Sequence, residues 1–262
     1  MKIAVVVTTY NRPEALGDTL PQVFEAAKNV QSANEVLVVD DFSERMLDVE
    51  TVVDAQLGYV RLLRLPGNRG LAGSLGVGIA YWLADPTVDA IAYFQDDVDV
   101  HPAVLAIGAA VLREFPHHLF TGNDPNHERA AEGFDEHPLG KEAGLPLGSG
   151  IRAWHKASCR GTMMMASRAS WSHVMPLRSN GLGFPKRLPG QLENERGQGS
   201  GVDWWIVRDA PHPLPVLCVP DLVRIRLWEA KDSTWNNKMR AGADRPLSEQ
   251  HITGWLEKRG TK

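Results

Sequence analysis

DAIAYFQDDVDVHP, residues 89–102, carries six residues of a buried strand, Ala90 to Gln95, straight into three carboxylates, Asp96, Asp97 and Asp99, and then to Pro102, where a helix restarts. Apolar side chains on both faces of a strand imply burial between two layers, as in a parallel sheet covered by helices. The acids then sit at a carboxyl edge of the sheet. In open α/β sheets that edge is where ligands bind, and paired carboxylates there suit a cation and a phosphate. A solvated turn with helix-capping acids reads the same residues equally well, and the stretch alone leaves both open.

Upstream, Ile3 to Val7 is a β-branched run that empties into Thr8, Thr9, Tyr10 and Asn11, the pattern of a buried first strand and a polar loop. Pro13 opens a helix with Leu16, Leu20, Val23, Phe24 and Ala27 on one face; Pro21 strains it, and Gly17, four residues back, eases the bend. Glu35 to Asp40 is a second buried strand ending on Asp40 and Asp41, with Ser43 expected to cap the next helix, and Gly58 to Leu65 is a third. The segment PGNRGLAGSLGVGIAYWLAD reads as a glycine-rich loop flowing into a helix that carries Ile79, Trp82 and Leu83. Its glycines admit either close approach of a ligand or close packing of a helix on the sheet, and it lacks the lysine of a GxxxxGK[ST] loop.

Downstream, Pro102 to Phe115 reads as a helix, His118 to Gly122 as a strand, and residues 123–158 as an irregular insertion. Gly161 to Ser167 (GTMMMAS) is a strand whose methionines fill core space. The glycine- and charge-rich segment 178–200 reads as a mobile lid, Gly201 to Trp205 opens a short helix, Pro215 to Val219 and Leu222 to Trp228 are strands, and Ser248 to Lys258 is a terminal helix. Of the tryptophans at 154, 171, 204, 205 and 228, core packing is the expected role, with stacking on a ligand the rival. The histidines form no tight ligand set.

The whole chain of 262 residues, 43% apolar and 23% charged, is of ordinary globular composition and long enough for one large α/β domain. A net charge of −4 gives no general attraction to nucleic acid or anionic membrane. Cys159 and Cys218 stand alone, which fits free buried thiols in a reducing compartment. The apolar run in MKIAVVVTTYNR is short for a signal peptide, and no segment approaches the ~20 apolar residues of a membrane helix. A soluble, cytoplasmic protein is the expectation.

Four stretches in this order, VVVTTYNRPEAL at 5–16, VLVVDDFS at 36–43, NRGLAGSLGVGI at 68–79 and YFQDDVDVHPAVL at 93–105, followed by GTMMMASR and GVDWW, resemble the family 2 glycosyltransferases of the GT-A fold. The resemblance implies an α/β, Rossmann-like GT-A domain over residues 1–262, with a mostly parallel central sheet flanked by helices. Residues 1–122 would bind the nucleotide sugar and residues 123–262 the acceptor. It implies an inverting enzyme that moves a sugar from a nucleoside-diphosphate donor to an acceptor hydroxyl, with Mn²⁺ or Mg²⁺ as cofactor. Thr8, Tyr10, Asn11, Arg12, Asp40, Asp41, Asn68, Arg69, Gly70 and Asp96 would contact the donor, Asp97 and Asp99 would serve the metal, and Asp203 would be the catalytic base. Gln95 replaces the family's first acid of DDD, Val202 replaces the acid before Asp203, and no histidine lies between His212 and His251, where many members carry one. A sugar-phosphate nucleotidyltransferase would need a glycine-rich loop with a basic residue after the first strand, which TTYNRPEAL is not. The departures at Gln95 and Val202 keep a non-catalytic nucleotide-sugar-binding relative as the other alternative.

Overall fold

The computed structural model describes residues 1–30, 36–56, 59–123, 145–146, 152–156, 159, 161–178, 202, 205–220 and 222–225. Strand β1 (Ile3–Thr9) is buried throughout and lies between β2 (Val36–Asp40) and β4 (Ala90–Gln95), parallel to both, with β3 (Val60–Arg64) parallel to β2. Each connection is a helix, as a parallel crossover requires: α1 (Pro13–Lys28), α2 (Met46–Asp54) and α3 (Gly70–Leu83).

The strand pleat sorts the core into two layers. Val5, Val7, Val36, Val38, Ala92 and Phe94 turn to one side, against Leu16, Leu20 and Val23 of α1 and Val49 and Val53 of α2. Their neighbours Ala4, Val6, Leu37, Val39, Ile91 and Tyr93 turn to the other, against Leu75, Ile79 and Trp82 of α3. Period-two alternation in a strand buried on both faces has this outcome.

After β4 the chain forms β5 (Val98–Val100), α4 (Val104–Glu114) and β6 (Leu119–Thr121), then β7 (Leu145–Pro146), β8 (Arg152–Lys156), β9 (Met163–Ser167), α5 (Arg168–Val174), β10 (Val216–Cys218) and β11 (Val223–Ile225). The main sheet runs β3-β2-β1-β4-β9-β6-β10-β8-β7, and β5 pairs with β11 in a separate ribbon. It is parallel from β3 to β4. Beyond that β9 inserts antiparallel between β4 and β6, and β10 runs parallel to β6 but antiparallel to β8. The α/β class with helices on both faces is the one expected. Met163, Met164 and Met165 are fully buried, Trp171 of α5 is a core residue whose indole donates to Ile91 O at 2.8 Å, and both cysteines are free and buried.

Three local readings are decided or corrected. Helix α3 begins at Gly70, so of the two readings open for Gly73, Gly76 and Gly78 the helical one holds. At Gly78 an added Cβ would lie 2.5 Å from Val6 Cγ1 and 3.2 Å from Val39 Cγ2, so this glycine lets α3 settle directly on β1 and β2. Ser43 does not cap α2, whose N-cap is Arg45; it is drawn back to Asp40. Val98–Val100, expected as part of a loop, becomes a strand because β11 supplies a partner. All but the first residue of the lid expected at 178–200, and the helix expected at 248–258, lie outside the described residues. Among the described residues no helix is long and apolar enough to cross a membrane.

Candidate functional site

The register pairs Thr9 with Asp40, Asp40 with Arg64 and Thr8 with Gln95, so β1, β2, β3 and β4 all end at one edge of the sheet. Every candidate donor residue that falls on this half of the chain lies at one of those strand ends, follows it or opens α3.

Thr8 is buried below the edge, its hydroxyl 3.1 Å from the Tyr93 hydroxyl. Tyr10 emerges 41% exposed. Asn11 takes a left-handed conformation at φ 54, which places its N–H on Ser43 Oγ (2.8 Å) and its Oδ1 under the Glu44 N–H (2.7 Å). Asp40 is fully buried and accepts the Ser43 N–H at 3.1 Å together with the Ser43 hydroxyl. Asp40, Ser43 and Asn11 thus tie the β1 and β2 loops together, and the carboxylate of Asp40 is used internally. Its neighbour Asp41 faces the third loop, accepting the Arg69 N–H at 2.7 Å, while Asn68 Oδ1 accepts the Gly70 N–H at 3.1 Å. Burial raises the Asp41 carboxyl above the usual range, opposed by the backbone N–H groups of Arg69 and Gly70. Gly70, at φ +65, makes the turn into α3.

Asp96 and Asp97 follow β4. Asp96 is fully buried, and burial pushes its carboxyl up to about 7 against the pull of Arg12, with Asp97 adding to the rise. Arg12 Nη2 stands 2.5 Å from Asp96 Oδ1, an ion pair without hydrogen-bond alignment, and Arg12 Nη1 donates to Asp97 Oδ2 at 2.5 Å. Both Asp96 oxygens and Asp97 Oδ1 are buried without a hydrogen-bond partner. Hard anionic oxygens left unsatisfied in this way fit a divalent cation. Asp99, expected beside them, belongs to β5: it accepts from Gln22 Nε2 at 3.4 Å and stands opposite Arg224 of β11. Among the described residues no three acidic, histidine or cysteine side chains gather as a metal group.

Sequence reasoning passed over the residues that position this loop. Thr19 Oγ1 of α1 lies 2.8 Å from the carbonyls of both Asp96 and Val98 and accepts the Val98 N–H at 3.2 Å. Gln22 Oε1 accepts the Val100 N–H at 2.8 Å. Both are polar interruptions beside the apolar stripe of Leu16, Leu20 and Val23, which was the available signal. Asp203 lies outside the described residues; its neighbour Val202 is buried in the α3-side core.

An open sheet with acids and a helix N-terminus converging at its carboxyl edge is the α/β architecture in which ligand sites lie at that edge. The model of the family described as Glycosyl transferase family 2 matches residues 4–171, and the chain belongs to that family. No curated protein sequence matches it. Solved structures with the same fold include TarS 1–349 of S. aureus (TM-score 0.52, 16% identity, 84% of this chain and 58% of that one). The mannosyltransferase PcManGT from Pyrobaculum calidifontis, in complex with GDP-Man and Mn²⁺, gives TM-score 0.52 and 16% identity over 84% of this chain and 55% of its own. GalNAc-T7, with UDP, GalNAc and Mn²⁺, gives TM-score 0.55 and 11% identity over 98% of this chain and 48% of its own. The chain spans about half the length of these proteins.

Proposed function

We propose that this chain transfers a sugar, with inversion, from a nucleoside-diphosphate donor to an acceptor hydroxyl, and that it does so with Mn²⁺ or Mg²⁺ held by Asp97 and Asp96. The observation that carries the reading is the buried, incompletely partnered Asp96–Asp97 pair at the end of β4. Membership of the family and the Mn²⁺ in the complexes of PcManGT and GalNAc-T7 support it. Residues 1–122 form the donor half and residues 123–262 the acceptor half.

Tyr10, Asn11 and Asp41 border the nucleotide, Asp41 accepting a hydrogen bond from the base. Asn68, Arg69 and Gly70 present the N-terminus of α3 to the diphosphate, where unsatisfied backbone N–H groups favour an anion. A divalent ion at Asp97, when bound, supplies Lewis-acid stabilisation of the charge that develops as the sugar–phosphate bond breaks. Asp203 takes the proton from the acceptor hydroxyl, whose oxygen forms the new bond to the anomeric carbon from the face opposite the departing diphosphate. Inversion follows from that single displacement.

Calorimetry with UDP and GDP, each with and without Mn²⁺, tests the site. Affinity is expected to depend on the ion, and ligand at about 100 times its dissociation constant raises stability by roughly 2.7 kcal/mol. Equal diphosphate affinity with and without Mn²⁺ would refute the metal-assisted reading.

A further inference from the structure

The two carboxylates assigned to the divalent ion already hold a cation belonging to the chain. Arg12, in the turn between β1 and α1, spans them: Nη2 is 2.5 Å from Asp96 Oδ1 and Nη1 is 2.5 Å from Asp97 Oδ2. Neighbouring carboxylates at this depth repel each other, and a buried charge needs a counter-charge. Arg12 supplies it.

The fit is nevertheless incomplete. Neither Asp96 oxygen is in hydrogen-bond alignment, and Asp97 Oδ1 remains buried without a partner. A permanent buried ion pair is stable only when its remaining oxygens are satisfied as well. The Arg12 side chain is 42% exposed, and its residue makes no side-chain cap to α1. The guanidinium is therefore partly open to solvent, whereas Asp96 is buried and held from behind by Thr19 on its carbonyl.

We propose that Arg12 is a resident counter-cation which the divalent ion must displace, so that the ion binds well only when a nucleoside diphosphate arrives with it and takes over the guanidinium. This rests on the donor and metal reading above. Arginine suits both states: its planar fork bridges two carboxylates in the empty site and matches phosphate oxygens once released. Arg12 is then a positioning residue that couples metal to donor and keeps the acid pair closed to metal alone.

The test is Mn²⁺ binding, followed by the electron paramagnetic resonance of the free ion and by calorimetry, to the parent chain, Arg12→Gln and Arg12→Lys, each with and without UDP or GDP. The parent is expected to bind Mn²⁺ weakly alone and tightly with a diphosphate. Arg12→Gln should bind Mn²⁺ alone about 10- to 1,000-fold more tightly than the parent, the range over which one adjacent opposite charge alters a carboxylate's affinity for a proton. It should lose most of its dependence on the diphosphate. Arg12→Lys keeps the charge but not the fork and should fall between them; it carries the test if the glutamine variant does not fold, and unchanged Mn²⁺ affinity in it then counts against the proposal. If Arg12→Gln binds Mn²⁺ alone no better than a parent that does bind Mn²⁺ with diphosphate, the displacement idea fails while the site reading stands. If no form binds Mn²⁺ under any condition, the site reading fails and takes the proposal with it. Metal-independent diphosphate binding that is lost in Arg12→Gln would make Arg12 a permanent phosphate ligand and would also overturn it.

Discussion

Gly76 and Gly78 lie two residues apart in α3, and the same substitution at each should change stability in opposite directions. Alanine is favoured over glycine in a helix by about 1 kcal/mol. At Gly76 nothing opposes that gain, since the nearest contact of an added Cβ would be Leu177 Cβ at 3.9 Å. At Gly78 the new carbon would sit 2.5 Å from Val6 Cγ1 and 3.2 Å from Val39 Cγ2. Carbon atoms rest at about 3.5–4.0 Å, so α3 must lift or Val6 must turn. Val6 is fully buried, so turning it would disturb packed neighbours. Overpacking of this kind costs about 1–3 kcal/mol, which meets or exceeds the helical gain. Gly76→Ala should therefore raise stability by up to about 1 kcal/mol, and Gly78→Ala should lower it by up to about 2 kcal/mol. A gap of up to about 3 kcal/mol corresponds to as much as roughly 6–12 °C in Tm for a domain of this class. Urea midpoints and thermal melts of the two variants supply the measurement. Lifting α3 also moves Arg69 and Gly70, so Gly78→Ala should weaken diphosphate binding while Gly76→Ala leaves it unchanged. A Gly78→Ala protein as stable as Gly76→Ala would refute direct seating of α3 on β1 and β2.

Asp97→Asn keeps the shape but removes a ligand charge; diphosphate affinity should lose its Mn²⁺ dependence in calorimetry, and retained dependence would move the ion elsewhere. Asp203→Asn should bind donor normally yet transfer sugar about 10² to 10⁴ times more slowly, the usual contribution of a general base; near-parental turnover would return Asp203 to a structural role. Asp96 is held up to about 7 by burial, so the folded chain keeps a proton that the unfolded chain, at the ordinary 3.8, gives up. The stability linked to this group is present below about 4 and lost as pH rises through about 7, at up to about 1.4 kcal/mol per pH unit. In chelator, Asp96→Asn should flatten that slope between pH 5 and 8; a parent that gains stability over this range relative to the variant would show Asp96 ionised throughout. Thr19→Val removes the hydroxyl behind the acid loop, and a loss of about 1–3 kcal/mol with weaker Mn²⁺ binding is expected from the orphaned Val98 N–H.

The strands were readable because runs such as Ile3–Val7 and Ala90–Gln95 are bounded by polar turns and have no competing helical period. The start of α3 was not, because local propensity counts Gly73, Gly76 and Gly78 against a helix, while the close seating of Gly78 on Val6 and Val39 is something only the fold supplies. Ser43 was misread for a related reason: its short-range pattern suits a cap, but a buried carboxylate three residues back outbids the next helix. At the site, the location of Asp96 and Asp97 was legible from one strand. Their link to Arg12 was not, since it joins residues far apart in sequence, and the same is true of the β5–β11 pairing that takes Asp99 away from them.

The place of β9 in the sheet has a consequence for the order of folding. Strands β1, β2 and β3 pair through single intervening helices, so this part of the parallel half can assemble from contacts comparatively close in sequence, while β4 closes on β1 over a long stretch of chain. The outer edge of β4 and one edge of β6, however, stay unpaired until Met163–Ser167 arrives from far downstream to bond with both. Pairings of such long range form late, and an open, apolar strand edge invites association with other chains in the meantime. In pulse-labelled hydrogen exchange the amides of β1 and β2 should gain protection before those of β6 and β9, and a chain ending before Met163 should self-associate through the bare edge of β4.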